Sequence, residues 1–282
     1  MNLDGEWGFT WKQFVPPNAD ISSAHQFVQF PHLWNEDSTL SSYGYASYAL
    51  QVVLPKKHPV LALSIPDTYT AYTLYINGKE VAHNGKVGKT PDTTTPFWLP
   101  ETTTLALFNT DTLSIVLHIA NFRHHKGGIR LPIQLGSEKY LQKEHTVAIG
   151  LDLLLAGSLL MIGMFFLALY LFGRNEVSVL YFAFICFVFS YRVVGTGLYP
   201  LHFIFPSLPW LLTIKAEYFS LYFTATLFSI FVKKLYPNEV NRRVIYGFAG
   251  IFGALSLISI LFPPYYFTRL INLFFLLVPF LI

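Results

Sequence analysis

The sequence predicts a β jelly-roll sandwich followed by an all-α, multi-span membrane bundle. Three observations carry this. Thr112 to Ile119 alternates Leu113, Ile115, Leu117 and Ile119 against Thr112, Ser114, Val116 and His118, the period-two pattern of a strand with one buried face. The stretch Thr146 to Phe172 runs without a charge after Asp152, long enough as a helix at about 1.5 Å per residue to cross a hydrocarbon core of about 30 Å. Composition also breaks near residue 145: of the 16 acidic residues, 12 precede it and only Asp152, Glu176, Glu217 and Glu239 follow. The domains expected are therefore a sandwich over 1–136, a short polar connector over 137–145 and a helical region over 146–282.

In the first domain the turn chemistry supports strands. Tyr72, Leu74 and Ile76 alternate into Asn77-Gly78, a pair that tolerates positive φ and so favours a two-residue hairpin into Glu80-Val81-Ala82. Further strands are expected at Trp7–Phe14, Ala46–Leu54, Val60–Ile65, Leu105–Phe108 and Leu131–Leu135. Many short strands without a convincing helix point to a sandwich, most simply a jelly roll. The connector (GSEKYLQKEH) is polar and short, so it should be stiff and pass movement of the sandwich to the first span.

After Phe172 the runs Val177–Tyr199, Leu208–Val232 and Val244–Phe262 are each long enough to cross, and Leu270 to Ile282 is an apolar run too short to do so. Short loops set the orientation. Gly173–Glu176 and Lys233–Arg243 contain Arg174, Lys233, Lys234, Arg242 and Arg243, whereas Pro200–Ser207 has no basic residue and Pro263–Arg269 has one. Basic loops stay in the cytoplasm, which puts the sandwich on the outer side; Lys139 and Lys143 beside the first span weaken the asymmetry. The opening MNLDGEW has neither a basic nor an apolar leader region, so an exported sandwich implies a leader in the gene product, and the chain reads as a fragment.

Charge excludes one class of partner. The halves carry formal charges of −1 and +4, with no basic stripe of the kind nucleic acid needs. The single cysteine, Cys186, lies in an apolar run, so no intrachain disulfide forms and the thiol serves as an apolar filler.

Several segments together carry a family resemblance: LDGEWGFTWKQFVPP, FPHLWNEDSTLSSYGYASYALQVVLP, TAYTLYINGKEVAHNGKVG, IANFRHHKGGIRLPIQLG and LLLAGSLLMIGMFFLALYLFGRNEVSVLYFAF. They resemble bacterial seven-transmembrane receptors with diverse intracellular signalling modules. The resemblance implies a jelly-roll ectodomain similar to carbohydrate-binding modules, seven helices, and a cytoplasmic output domain such as a kinase, cyclase or phosphatase. The chain departs from that plan in having about four and a half spans and no output domain.

Candidate ligand contacts concentrate in the loop Asn121-Phe122-Arg123-His124-His125-Lys126-Gly127-Gly128. Sugars are held by aromatic faces plus bidentate polar side chains, and Arg123, His124 and His125 supply the polar part. The competing reading is a bulge loop whose glycines serve only the turn. Trp11, Trp34, Tyr43, Tyr45 and Trp98 would form a stacking platform if exposed; rings in small sandwiches more often fill the core, so only Trp34 and Tyr43, flanked by loop residues, are expected to face a ligand.

No metal or other cofactor is expected. Adjacent histidines in a strand point to opposite faces, against a shared zinc ion, and no spacing demands calcium at Asp4, Glu6 or Asp111. Catalysis is not expected either: the acids are scattered, and neither a nucleophile elbow nor a phosphate loop is present.

In the helical region Asp152, Arg192, Lys215 and Glu217 are ionisable groups in or at the edge of spans, each costly to expose to lipid. With the orientation above, all four fall in the outer third of the bilayer. Arg192 is expected to pair with Glu217 or Asp152 in a polar coupling layer; Asp152 and Lys215 alternatively snorkel to the interface.

The function expected is a bacterial inner-membrane receptor whose periplasmic sandwich senses a small carbohydrate-like ligand, with the bilayer as its other partner and a homodimer allowed. The rival is a docking module for a periplasmic protein, anchored but not signalling. A transporter subunit is disfavoured because no pair of spans shows the broken symmetry of inverted repeats.

Overall fold

The computed structural model describes residues 1–19, 21, 24–105, 110–173 and 176–280. The chain divides into two compact units, Met1–Val147 and Ala148–Ile282.

The first unit is an antiparallel β-sandwich. Its strands are β1 (Gly5–Trp11), β2 (Gln26–Phe30), β3 (Gly44–Val53), β4 (Leu61–Ile65), β5 (Ala71–Ile76), β6 (Lys79–Asn84), β7 (Glu101–Thr104), β8 (Thr112–Asn121) and β9 (Gln134–Ser137). One sheet has the order β2-β1-β3-β8-β5-β6 and the other β7-β4-β9. Trp7, Phe9, Tyr48, Tyr72, Leu117 and Ile119 from the larger sheet meet Leu63, Ile65 and Leu135 from the smaller in one core.

The hairpin expected at Asn77-Gly78 is there, with φ of 48° and 80° at the two residues, the positive pair a type I′ turn requires. Elsewhere the sequence reading needs correction. β1 stops at Trp11 rather than Phe14, because Lys12 takes a left-handed φ of 55°. The strand expected at Leu131–Leu135 runs over Gln134–Ser137; Pro132, lacking an N–H, suits the segment before it. Strand Glu101–Thr104 was not foreseen; of the strand expected at Leu105–Phe108, residues 106–108 lie outside the described ones. Strand β2, QFVQF, was not foreseen: its glutamines interrupt the alternation.

β8 was expected to bury one face, yet Val116 and His118 on the other face are buried as well. The segment after Trp11 folds across this face. Ser47 Oγ accepts from Val15 N (3.1 Å) and donates to Gln13 O (2.8 Å), while His118 Nε2 lies 2.9 Å from Val15 O.

The expected connector is helix. α1 (Glu138–Phe172) starts directly after β9, since nothing in SEKYLQKEH breaks a helix and Glu138 lies in the first turn, where a carboxylate complements the helix dipole. Within the first unit, Glu138 N donates to Val60 O (2.9 Å), Thr104 Oγ1 donates to Glu138 Oε1 (2.7 Å) and Leu141 is buried beside Gly136.

The second unit contains the rest of α1, then α2 (Val177–Gly195), α3 (Leu201–Ile204), α4 (Trp210–Leu235), α5 (Arg242–Leu261), α6 (Pro264–Phe267) and α7 (Ile271–Leu277). Among the described residues α1, α2 and α5 are long and apolar enough to cross a membrane. α4, expected to cross over Leu208–Val232, is a 26-residue helix less apolar than these three. Its Thr213, Lys215, Glu217, Ser220, Thr224 and Ser229 lower its hydropathy, and it packs against both α2 and α5 with Ile214, Tyr222 and Ser229 buried. A helix flanked by neighbours need not present apolar side chains all round. α2 ends at Gly195 rather than Tyr199, where Thr196 turns extended and Gly197 takes a φ of +70°. Arg174 and residues 281–282 lie outside the described ones.

Candidate functional site

The register of β3 with β8 gives the sandwich two poles. Gly44 faces Asn121 at one end and Val53 faces Thr112 at the other, about 30 Å apart along a ten-residue strand. α1 starts at the second pole, since Leu61 of β4, next to Val60, pairs with Ser137, and Leu54 N bonds Asp111 O beside the start of β8. The loop Asn121–Gly128 lies at the first, distal pole.

That loop is organised by one side chain. Asn121 Nδ2 donates to Ser42 O (2.8 Å), His124 O (2.7 Å) and Lys126 O (3.0 Å), and its Oδ1 accepts from His124 N (3.0 Å) and Arg123 N (3.3 Å). The result buries His124 and leaves Arg123 exposed. His124 is 2% exposed and its Nδ1 lies 3.1 Å from Lys126 N. Burial, helped by neighbouring His125 and Lys126, pushes its pKa down to about 3, so the ring is neutral at ordinary pH. Its imidazole stacks on Tyr69 from the β4–β5 loop, with centroids 4.6 Å apart and planes 6° apart.

The glycines of the loop serve close packing. A Cβ on Gly127 would fall 2.3 Å from Trp34 Cε3, and one on Gly128, at φ +87°, 2.2 Å from His32 O. Both contacts belong to the antiparallel bridge that Leu33 makes with Gly128. This corrects the expectation for Trp34. It is 0% exposed, its Nε1 donates to Tyr48 Oη (2.8 Å), and its ring meets Trp11 edge to face at 4.8 Å. The local 3₁₀ turn at Trp34–Glu36 points it inward, so it offers no stacking surface. Tyr43 is half-buried.

Two further features of the distal pole carry no motif in the sequence. Asp67, on the loop that carries Tyr69, has its carboxyl pKa raised by burial, with the Arg130 charge opposing. Phe97 N donates to Thr70 O (2.5 Å), and Thr70 Oγ1 donates to Ala120 O. Phe97, with His83, Asn84, Lys86 and Thr95, lines an open cleft of about 490 Å³ beside this loop, within the size range of small-molecule sites. Among the described residues no group of three or more His, Cys, Asp or Glu side chains is placed to hold a metal ion.

In the helical unit the four ionisable residues are treated unequally. Arg192 meets Glu217 through the main chain, its Nη1 donating to Glu217 O at 3.1 Å, and Tyr199 Oη donates to Glu217 Oε2 at 3.3 Å. Lys215 Nζ donates to Ile260 O (2.5 Å) at the end of α5, a helix C-terminus that favours a cation. Among the described residues no hydrogen bond or ion pair joins Asp152 to Arg192. A pocket of about 200 Å³ between α2, α3 and α4 is lined by Tyr191, Gly195, His202, Leu212 and Thr213.

Residues 149–282 match the model of the family described as 7TM diverse intracellular signalling. Over these residues the chain is similar to that family. The similarity and the three described helices long and apolar enough to cross a bilayer support a multi-pass membrane protein. No curated protein matches the chain. Solved structures similar to it include β-glucuronidases from Faecalibacterium prausnitzii (15% identity, TM-score 0.37), an uncultured Clostridium species (16%, 0.39) and Bacteroides uniformis (19%, 0.39). Each likeness covers 48% of this chain and only 30%, 28% and 17% of the respective enzyme, and likenesses of this strength bear on no activity of the chain. Within the helical unit, the sequence singled out Arg192 and Glu217 by the cost of burying charge, and the structure brings those two together. The sandwich residues Asp67, Tyr69, Phe97 and Arg130 gave no such signal, because an isolated loop acid or ring is common on any surface.

Proposed function

We propose that the chain is the sensing and first transmembrane part of a bacterial inner-membrane receptor, and that its periplasmic sandwich binds a small carbohydrate-like ligand at the distal pole. The observation that carries this reading is the grouping there of an open cleft edged by Phe97, a Tyr69–His124 stack, the exposed Arg123 and the half-buried acid Asp67. Sugars are bound by a ring face for their C–H surface and by charged or amide groups for their hydroxyls. Lys86 and Arg123 offer donors and Asp67 an acceptor.

The outer position of the sandwich is supported by Lys233, Lys234, Arg242 and Arg243 on the loop between α4 and α5, which favours that loop in the cytoplasm. Ligand binding would stabilise one arrangement of the receptor over another by its differential affinity for the two, and a cytoplasmic output domain would read the change. No covalent chemistry is needed at the sandwich.

The test is a thermal-shift screen of the full chain in nanodiscs against a panel of mono- and oligosaccharides. A ligand that binds only the folded sandwich raises its apparent stability. Stabilisation that is lost in Phe97→Ala and Arg123→Ala supports the reading; a panel with no stabilising member removes it in favour of protein docking.

A further inference from the structure

We propose that the pole of the sandwich from which α1 starts is a docking surface for anionic phospholipid headgroups. The observations lie in the first unit and are independent of the ligand site at the opposite pole. The loop Pro55-Lys56-Lys57-His58-Pro59-Val60 joins β3 to β4 there, and Val60 O accepts from Glu138 N, the first residue of α1. From Glu138 to Thr146 the helix advances about 12 Å, and the headgroup layer itself is about 5–7 Å thick, so a loop tied to Glu138 stands within reach of the lipid surface that α1 enters.

Its chemistry suits that surface. Lys56 and Lys57 are exposed, and the segment Ser38 to Pro66 contains no acid at all. Lys139 and Lys143, one helical turn apart, lie on the stripe of α1 opposite the buried Leu141, so they face away from the sandwich. Of the acids on these first turns, Glu138 is engaged by Thr104 and by Gln142 Nε2 (3.1 Å), and Glu144 is exposed. Around the cations stand apolar side chains in water: Val53 at 78% exposure, Tyr140 at 62% and Val60 at 49%. Lysines reaching phosphates, with a tyrosine and valines at headgroup depth, are the mixture expected at a membrane interface. The lipid contact would fix the sandwich relative to the bilayer and leave the distal pole facing outward.

The experiment uses the full chain with Cys186→Ala, carrying a fluorophore at Val53→Cys or, at the distal pole, at Arg123→Cys, in nanodiscs containing a nitroxide-headgroup lipid. The label at 53 should be quenched, more strongly in discs containing phosphatidylglycerol than in phosphatidylcholine alone, and the label at 123 should not. Lys56→Glu with Lys57→Glu should remove the phosphatidylglycerol increment, by about fivefold in the bound-to-free ratio per lysine. High salt should weaken the increment in the unsubstituted loop through screening, a check that needs no substitution at the lysines. Equal quenching at both labels, or quenching at 53 that ignores phosphatidylglycerol content, would overturn the proposal.

Discussion

The Tyr69 ring lies flat on the His124 imidazole, 4.6 Å between centroids and 6° between planes, and so ties the β4–β5 loop to the loop that follows β8. Tyr69 holds this position from a φ of 68°, a region costly for a non-glycine residue. The stack therefore acts against a local backbone preference. Tyr69→Ala should lower sandwich stability by about 1 kcal/mol, the worth of an aromatic pair beyond its buried area, and Tyr69→Phe, which keeps the ring, should cost less. Urea unfolding followed by tryptophan fluorescence reads both; equal effects of the two substitutions would show that the ring face does not matter.

Buried histidines make the sandwich acid-sensitive. An unfolded His124 takes up its proton near 6.5, whereas burial holds the folded ring neutral down to about 3. Between those values the unfolded state binds more protons, so stability is fully present above about pH 6.5 and falls as pH drops toward 3, by up to about 1.4 kcal/mol per pH unit. Burial shifts His118 in the same direction. His124→Gln should flatten part of this slope, measurable as the urea midpoint between pH 7 and pH 4.5. An unaltered slope would assign the acid sensitivity elsewhere.

Asn121 closes its loop with three donor contacts and two acceptor contacts. Asn121→Ala strands several of these main-chain groups away from water and should cost about 3 kcal/mol, given the penalty for buried unpaired groups. Asn121→Asp keeps the shape and the acceptor but removes the amide donors, so it should be destabilising too. Thermal melting of the two variants against the parent decides; a harmless Asn121→Asp would mean that the donor contacts contribute nothing.

Gly127→Ala places a methyl group 2.3 Å from the Trp34 ring and 2.4 Å from Ser42 O. Since one of those atoms is backbone and the other belongs to a fully buried ring, relief requires moving the loop, at roughly 1–3 kcal/mol. Quenching of core tryptophan fluorescence by acrylamide should rise with the loss of packing.

Arg192→Leu should insert and assemble in the membrane normally while removing the bond to Glu217 O that links α2 to α4. The expected outcome is a wild-type yield in the membrane fraction with loss of any ligand-induced change in hydrogen exchange in α2 and α4. A variant that responds as the parent does would remove Arg192 from the coupling path.

Local periodicity was enough to read the β3, β5 and β8 strands, the Asn77-Gly78 turn and the apolar runs of α1, α2 and α5, because alternation, positive-φ residues and helix length act within a few residues of chain. It was also enough to single out Arg192 and Glu217, since charge in an apolar run is conspicuous without any knowledge of its neighbours. The fate of Trp34 was not legible: its flanking loop residues suit exposure, and only the pairing of Leu33 with Gly128, distant in the chain, carries the ring into the core. The same holds for the helical connector, whose polar residues 138–145 read as a linker until contacts from Val60 and Thr104 fix its first turn.

The amino-acid sequence by itself determined the two-part plan, sandwich then helices, because burying apolar surface in a sheet and in a bilayer requires different periods and different run lengths. Only the tertiary structure decided that Asp67, Tyr69, Phe97 and His124 share one pole while α1 starts at the other. Which loops meet is set by strand register, and register is fixed by side chains pairing across strands far apart in the chain.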